Sequence, residues 1–337
     1  MRFSLTVVQV FRILNGIEIA AACVNTICSV YFVARTINLS TLNINLRLIL
    51  MVETILCVFV SLVHSTSQIT DESWYSIEKR QYLAALIFYV TLLAAQVAAF
   101  MFDAKYMLIA IERTIAFEDR RRYETRGGEV ARKYLWRTFF VVTTLTVLKC
   151  IIIYCKNPQL QIDARLRRTL ILEYDYDWAG PSYFCAWLAI PYSIYKFYKL
   201  HQMTNKNTAF ESLSAMYEVR RIRMTLDYMK RLISVFVGTL LFCGFVTFLQ
   251  WYFHNIKKVA DYSYEMRCTS SLVYTSFSIY NLICTYYLVH EFPQFQRIVH
   301  RDFRILRRNY VEAAPLPTTD RNQTELYFKQ FSAMWNK

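Results

Sequence analysis

An all-helical membrane protein with seven spans is what this sequence predicts, and three observations predict it. The chain is 55% hydrophobic and 16% aromatic against 19% charged, too apolar for 337 residues of soluble domains. Six glycines and six prolines leave little material for the turns of a barrel or sandwich, which favours long helices. Seven apolar stretches reach about 17 residues, the least that crosses a hydrocarbon core about 30 Å thick.

The spans are 13–34, 48–64, 82–111, 138–154, 179–195, 232–254 and 268–290. The third is long enough to tilt steeply or protrude, and the second, fourth and fifth sit near the minimum. Residues 1–12 form a short outer amino end; Arg2 precedes the first span and no small-residue cleavage site follows it, so that span reads as a retained signal anchor. Connectors 35–47, 112–137, 196–231 and 291–337 carry 26 Lys and Arg, against 11 in 1–12, 65–81, 155–178 and 255–267. Basic residues are retained in the cytoplasm, so the amino end is expected outside and the carboxyl end inside. The net charge of +14 then matches an anionic leaflet and membrane lipids, with no nucleic acid expected as a partner. Two glycosylation sequons, beginning at Asn38 and Asn322, fall on the inner side and are expected to stay unused. Nine cysteines lie mostly inside apolar runs without zinc spacing; Cys155 and Cys268, at outer helix ends, are candidates to pair.

Past the seventh span, Phe292, Phe295, Ile298, Val299, Phe303 and Leu306 recur at helical spacing, with Arg297, Arg301, Arg304, Arg307 and Arg308 on the polar arc. Residues 291–309 read as an amphipathic interfacial helix started by Pro293, or as a soluble helix docked on a partner. Residues 310–337 read as a flexible cytoplasmic tail. Ahead of the sixth span, Met216, Val219, Ile222, Leu226 and Met229 alternate with basic residues, which extends that helix into the cytosol as a solvated face or a docking surface.

The third span leaves lipid at Glu112 and Arg113, with Arg120, Arg121 and Arg122 following. Either this is an ordinary interfacial ending, or Arg113 belongs to a signalling switch, held by an acid in one state and freed in another, with Asp227 as a cross-helix partner. Glu18, Glu53, Asp103, Lys105 and Lys149 lie inside spans, where each costs about 2.5–3.5 kcal/mol near the bilayer centre. The two lysines are placed to snorkel toward helix ends; Glu53 and Asp103, with Asn281, are candidates for an intramembrane polar network.

Aromatic residues gather toward the outer helix ends, either as an interfacial belt or as the lining of an apolar cavity. The cavity reading takes Tyr89, Trp187, Phe248, Trp251, Tyr252 and Tyr274 as ligand-binding residues. The five histidines are scattered, and no phosphate loop, nucleophile elbow or metal-ligand cluster occurs, so neither an enzyme nor a cofactor or metal is expected.

Seven spans, an outer amino end, an acid-Arg pair closing the third and an amphipathic helix after the seventh together resemble a G-protein-coupled receptor. The words "ERTIAF" at 112–117, "RYE" at 122–124, "LSAMYEVRRIR" at 213–223 and "NINLRLIL" from Asn43 are similar to the nematode serpentine chemoreceptors of the Sra superfamily, most of all their epsilon class (Sre). Tyr217-Glu218 and Arg220-Arg221 stand where that class has Tyr-Gln and Glu-Asn. No Cys lies between 58 and 149, so the disulfide of rhodopsin-like receptors cannot form, and "NLICTY" at 281–286 lacks their seventh-helix proline. The resemblance implies a plasma-membrane receptor of a sensory neuron that binds a small odorant- or pheromone-like molecule in its outer half and signals through a heterotrimeric G protein. The rivals are an odorant-gated channel subunit of inverted topology and a small-molecule transporter.

Overall fold

The computed structural model of the protein describes residues 6–37, 39, 42–119, 123, 127–170, 176–204, 213–259 and 263–303. The described residues form ten α-helices: α1 (Val7–Thr36), α2 (Ile44–Ile69), α3 (Tyr82–Asp103), α4 (Lys105–Glu118), α5 (Glu129–Lys156), α6 (Ile162–Leu170), α7 (Tyr176–Thr204), α8 (Leu213–Asn255), α9 (Tyr264–Glu291) and α10 (Pro293–Asp302). A 3-10 turn at Glu72–Trp74 lies between α2 and α3, and no strand occurs among the described residues. The sequons at Asn38 and Asn322, Arg120 to Arg122, the end of the amphipathic segment past Phe303 and the 310–337 tail lie outside the described residues.

Among the described residues six helices, α1, α2, α3, α5, α8 and α9, are long and apolar enough to cross a membrane. Their outward faces carry large apolar side chains: Phe140 on α5 is 64% exposed and Leu83 on α3 72%. Continuous exposed apolar surface of this kind is rare on a soluble monomer and is what lipid requires of a helix bundle. The chain is therefore membrane-embedded. The fifth predicted span falls within α7, which is 29 residues long but owes much of its bulk to Tyr and Trp and is not among the six.

Helix starts follow local chemistry. The Asn43 side chain accepts the Asn45 N–H at 2.9 Å to cap α2, and Ser263 accepts from Met266 at 3.3 Å to cap α9. Gly127 takes φ +55° in the turn before α5, a conformation that side chains resist. Pro293 opens α10, where its missing N–H costs nothing.

Pair contacts set the directions of the helices. Phe11 meets Tyr264 at 5.5 Å, while Asn25 further along α1 accepts from Asn281 further along α9 at 2.7 Å, so α1 and α9 run parallel. Arg267 at the start of α9 reaches Gln68 at the end of α2, so those two are antiparallel. Gln250 donates to Ser270 at 2.9 Å near one end of the α8/α9 pair, and Arg231 bonds Glu291 at the other. α10 folds back on α1, where Asp302 accepts from Tyr31 Oη at 2.9 Å and pairs with Arg35 at 2.8 Å.

Three expectations are corrected. The third predicted span is not one helix: it breaks at Ala104, whose N–H turns back to Met101 and Phe102, and α4 then continues to Glu118. Lys105, the next residue, does not snorkel; it is buried with its ammonium among the rings of Phe102, Tyr106 and Tyr280 at 5.4–5.9 Å, where cation-π attraction replaces part of its hydration. Cys155 and Cys268 are both free thiols. The segment before the sixth span, by contrast, is continuous with it in a single 43-residue helix, α8.

Candidate functional site

Four polar groups stand out in the apolar interior among the described residues, at different depths of the bundle. At the predicted inner end, α4 carries Glu112 and Arg113, both 1% exposed. The Arg113 guanidinium donates through Nε and Nη2 to the two oxygens of Glu112, and the Tyr123 hydroxyl donates to Glu112 Oε1. Neighbouring side chains on a helix diverge, so this closed fork needs the surrounding packing to hold it. Asp227 is exposed on α8, so the acid that holds Arg113 is its own neighbour and the proposed cross-helix pair is not made.

At mid-depth, Glu53 on α2 is fully buried, with neither carboxylate oxygen hydrogen-bonded among the described residues. The Lys105 ammonium and the half-buried Asp103 lie within electrostatic reach of it. Lys105 Nζ also stands 3.8 Å from Cys284 Sγ, and the Tyr106 and Tyr280 hydroxyls bond each other across α4 and α9. Glu53 and Asp103 thus share one electrostatic group, centred on a lysine. Asn281 joins a different group: its Nδ2 donates to Asn25 Oδ1 at 2.7 Å and Ser29 Oγ at 3.0 Å, stitching α9 to α1. Interhelical amide and hydroxyl bonds of this kind hold helices together in lipid, where burial of apolar surface gives no preference for helix over lipid contact.

Toward the predicted outer end, His64 on α2 and Glu18 on α1 meet through Nδ1 and Oε1 at 2.5 Å, both buried. Ser65 Oγ donates to the same oxygen at 3.0 Å. The His64 ring lies flat on that of Tyr274 from α9, centroids 3.5 Å apart and 11° from parallel. Beside this stack lies a narrow cleft lined by Val60, Val63, His64, Ser67, Leu92, Ala95, Gln96, Leu170 and Tyr274. Gln96 holds one wall in place, its Nε2 donating to the Thr169 and Leu170 carbonyls at 3.3 and 2.5 Å. Those carbonyls end α6, whose other end is clasped by a loop. Asp163 accepts from Ser76 Oγ at 2.5 Å and from the Ile77 and Glu78 N–H groups at 3.0 and 3.4 Å. Burial pushes the Asp163 carboxyl up, but these bonds and one from Tyr89 outweigh it and hold the group below the usual carboxylate range.

The six aromatic residues assigned to a ligand cavity are scattered. Tyr274 lines the cleft. Tyr89 is buried nearby against Tyr75 and reaches Asp163 at 3.5 Å, so it braces the loop clasp. Phe248 is 57% exposed and stacks on Trp251, which like Trp187 is 40% exposed; the stripe on α8 faces outward, and neither it nor the partly exposed Tyr252 lines this cleft. Glu18 and His64 were not singled out from the sequence as a site. The signal available was an ionisable residue toward the outer end of each of the first two spans, Glu18 and His64. No protein-family model matches the chain, and no curated protein matches it.

Proposed function

We propose that the chain is a seven-helix chemosensory receptor of the plasma membrane, amino end outside, that binds a small molecule in its outer half and signals through a heterotrimeric G protein. The observation that carries this reading is the buried fork of Glu112 and Arg113 with Tyr123, at the end of α4 that the basic connectors mark as cytoplasmic. A fully desolvated ion pair is costly unless its geometry is held, so a small shift of the helices around it releases a charge. That makes it a two-state element, and α4 packs against both α7 and α8. The long basic extension of α8 offers a partner surface beside it. In this reading the ligand acts at the other end of the bundle, and α7 is the seventh crossing.

In this mechanism a ligand shifts the helices lining the outer half, the fork opens, and Arg113 becomes available to the G protein. Arg113→Ala should abolish ligand-stimulated nucleotide exchange in cells that still display the protein. Intact coupling in that variant would sink the mechanism. A tag on the amino end should be labelled on intact cells; labelling only after permeabilisation would favour the inverted channel. Transport draws support from Glu18, His64, Glu53 and Lys105, ionisable groups on neighbouring helices, and concentrative uptake dependent on Glu53 would be its mark.

A further inference from the structure

We infer that Glu53 is a proton-binding site: in the folded bundle its carboxyl carries one hydrogen, which balances the charge of a three-residue group made of Glu53, Asp103 and Lys105. The site does not depend on what the bundle signals or carries, and it stands in a receptor and in a transporter alike.

Glu53 is 0% exposed, and neither of its carboxyl oxygens has a hydrogen-bond partner among the described residues. The neighbouring ammonium does not close on it. Lys105 Nζ instead stands 3.8 Å from Cys284 Sγ and 5.4–5.9 Å from the ring centres of Phe102, Tyr106 and Tyr280, so that only its field reaches Glu53. An ionised carboxylate with no water, hydrogen bond or close cation is among the costliest groups a protein can bury. Such a group takes up a proton instead.

Charge counting leads to the same place. The helices packed on α2 are α1, α3, α4, α5 and α9, and the charged groups they bring within reach of Glu53 are Asp103 at the end of α3 and Lys105 at the start of α4. The other titratable groups close by are the Cys57 and Cys284 thiols and the Tyr106 and Tyr280 hydroxyls, types that are uncharged at neutral pH. Two carboxylates against one ammonium leave one negative charge in excess, in a bundle interior where an uncompensated charge is expensive. One proton closes the balance. It belongs on Glu53, because the half-buried Asp103 gives up less hydration in keeping its charge. A sodium ion would close the balance too, but hard cations need a shell of oxygens. Besides its carboxyls the group offers thiols, rings and two tyrosine hydroxyls already bonded to each other, and no cluster of three metal-ligating side chains occurs among the described residues.

The test is infrared spectroscopy of the full-length chain in dodecyl maltoside, a detergent with no carbonyl to overlap the C=O stretch of a protonated carboxyl group. At pH 7 the wild-type protein should show that band, and Glu53→Gln should lose it. Isotope-labelled glutamate should shift the band and isotope-labelled aspartate should leave it in place, which locates the proton without any variant. Exchanging choline chloride for sodium chloride should leave its amplitude unchanged. Gln has the shape of an uncharged Glu, so Glu53→Gln should also melt within about 2 °C of the wild type, where breaking a buried ion pair would lower the midpoint by about 10 °C. Absence of the band, a band that follows the aspartate label alone, its loss in sodium, or a fall of about 10 °C in Glu53→Gln overturns the inference.

Discussion

His64 Nδ1 and Glu18 Oε1 lie 2.5 Å apart, between helices whose sequence positions are separated by 46 residues. Both side chains are withdrawn from solvent, and Glu18 Oε2 is buried without a hydrogen bond among the described residues. The pair joins α1 to α2, and its ring stack on Tyr274 adds α9.

Removing one partner should cost far more than neutralising the other. His64→Ala leaves the Glu18 carboxylate buried with only the hydroxyls of Ser65 and Ser271 beside it, a loss of about 3–5 kcal/mol. Glu18→Gln keeps an acceptor for the His64 proton and should cost about 1 kcal/mol. Thermal unfolding of the detergent-solubilised protein ranks the two; equal losses would mean that the pair contributes packing alone.

The loop clasp should open with acid. The Asp163 pKa is lower in the folded than in the unfolded chain, so the clasp's stability is complete above the unfolded value, about 3.9, and is lost as pH falls through the folded one. Amide exchange at Ile77 and Glu78, corrected for intrinsic rate, should lose protection over that window. In Asp163→Asn the protection should be low already at pH 7 and flat below it.

Tyr123→Phe should raise signalling in the absence of ligand. The change deletes one hydrogen bond to the carboxylate that holds Arg113, about 1 kcal/mol or roughly fivefold in the equilibrium of a two-state fork. Basal nucleotide exchange at matched surface expression measures it, and unchanged or lowered basal activity would detach Tyr123 from the switch.

Asn281→Leu should loosen α9 from α1. It removes both donations to Asn25 and Ser29, interactions worth about 0.6–1.7 kcal/mol each in lipid. A drop of that order in thermal stability, reproduced by Asn25→Leu and not additive with it, is the expected result.

Much of the architecture was legible because lipid imposes simple rules. Long apolar runs and few glycines and prolines led to helices, and Pro293 with its 3–4 residue periodicity led to α10. Which way the aromatic stripe of α8 faces was not legible, for a physical reason. In water, an aromatic stripe on one helix face points to the core; in lipid both faces are apolar, and the stripe of Phe245, Phe248 and Trp251 turned out to face away from the bundle.

The sequence by itself determined that this chain is a bundle of membrane-crossing helices, because hydrophobic length and the scarcity of turn residues are local properties. Only the tertiary structure decided which polar residues meet: Glu18 with His64, Asn281 with Asn25, and Lys105 between Glu53 and the tyrosines. Pairing of that kind depends on the rotation and depth of each helix against its neighbours, set by packing over the whole bundle. The same holds at Ala104, where a turn without proline or glycine breaks α3 from α4 and turns Lys105 inward.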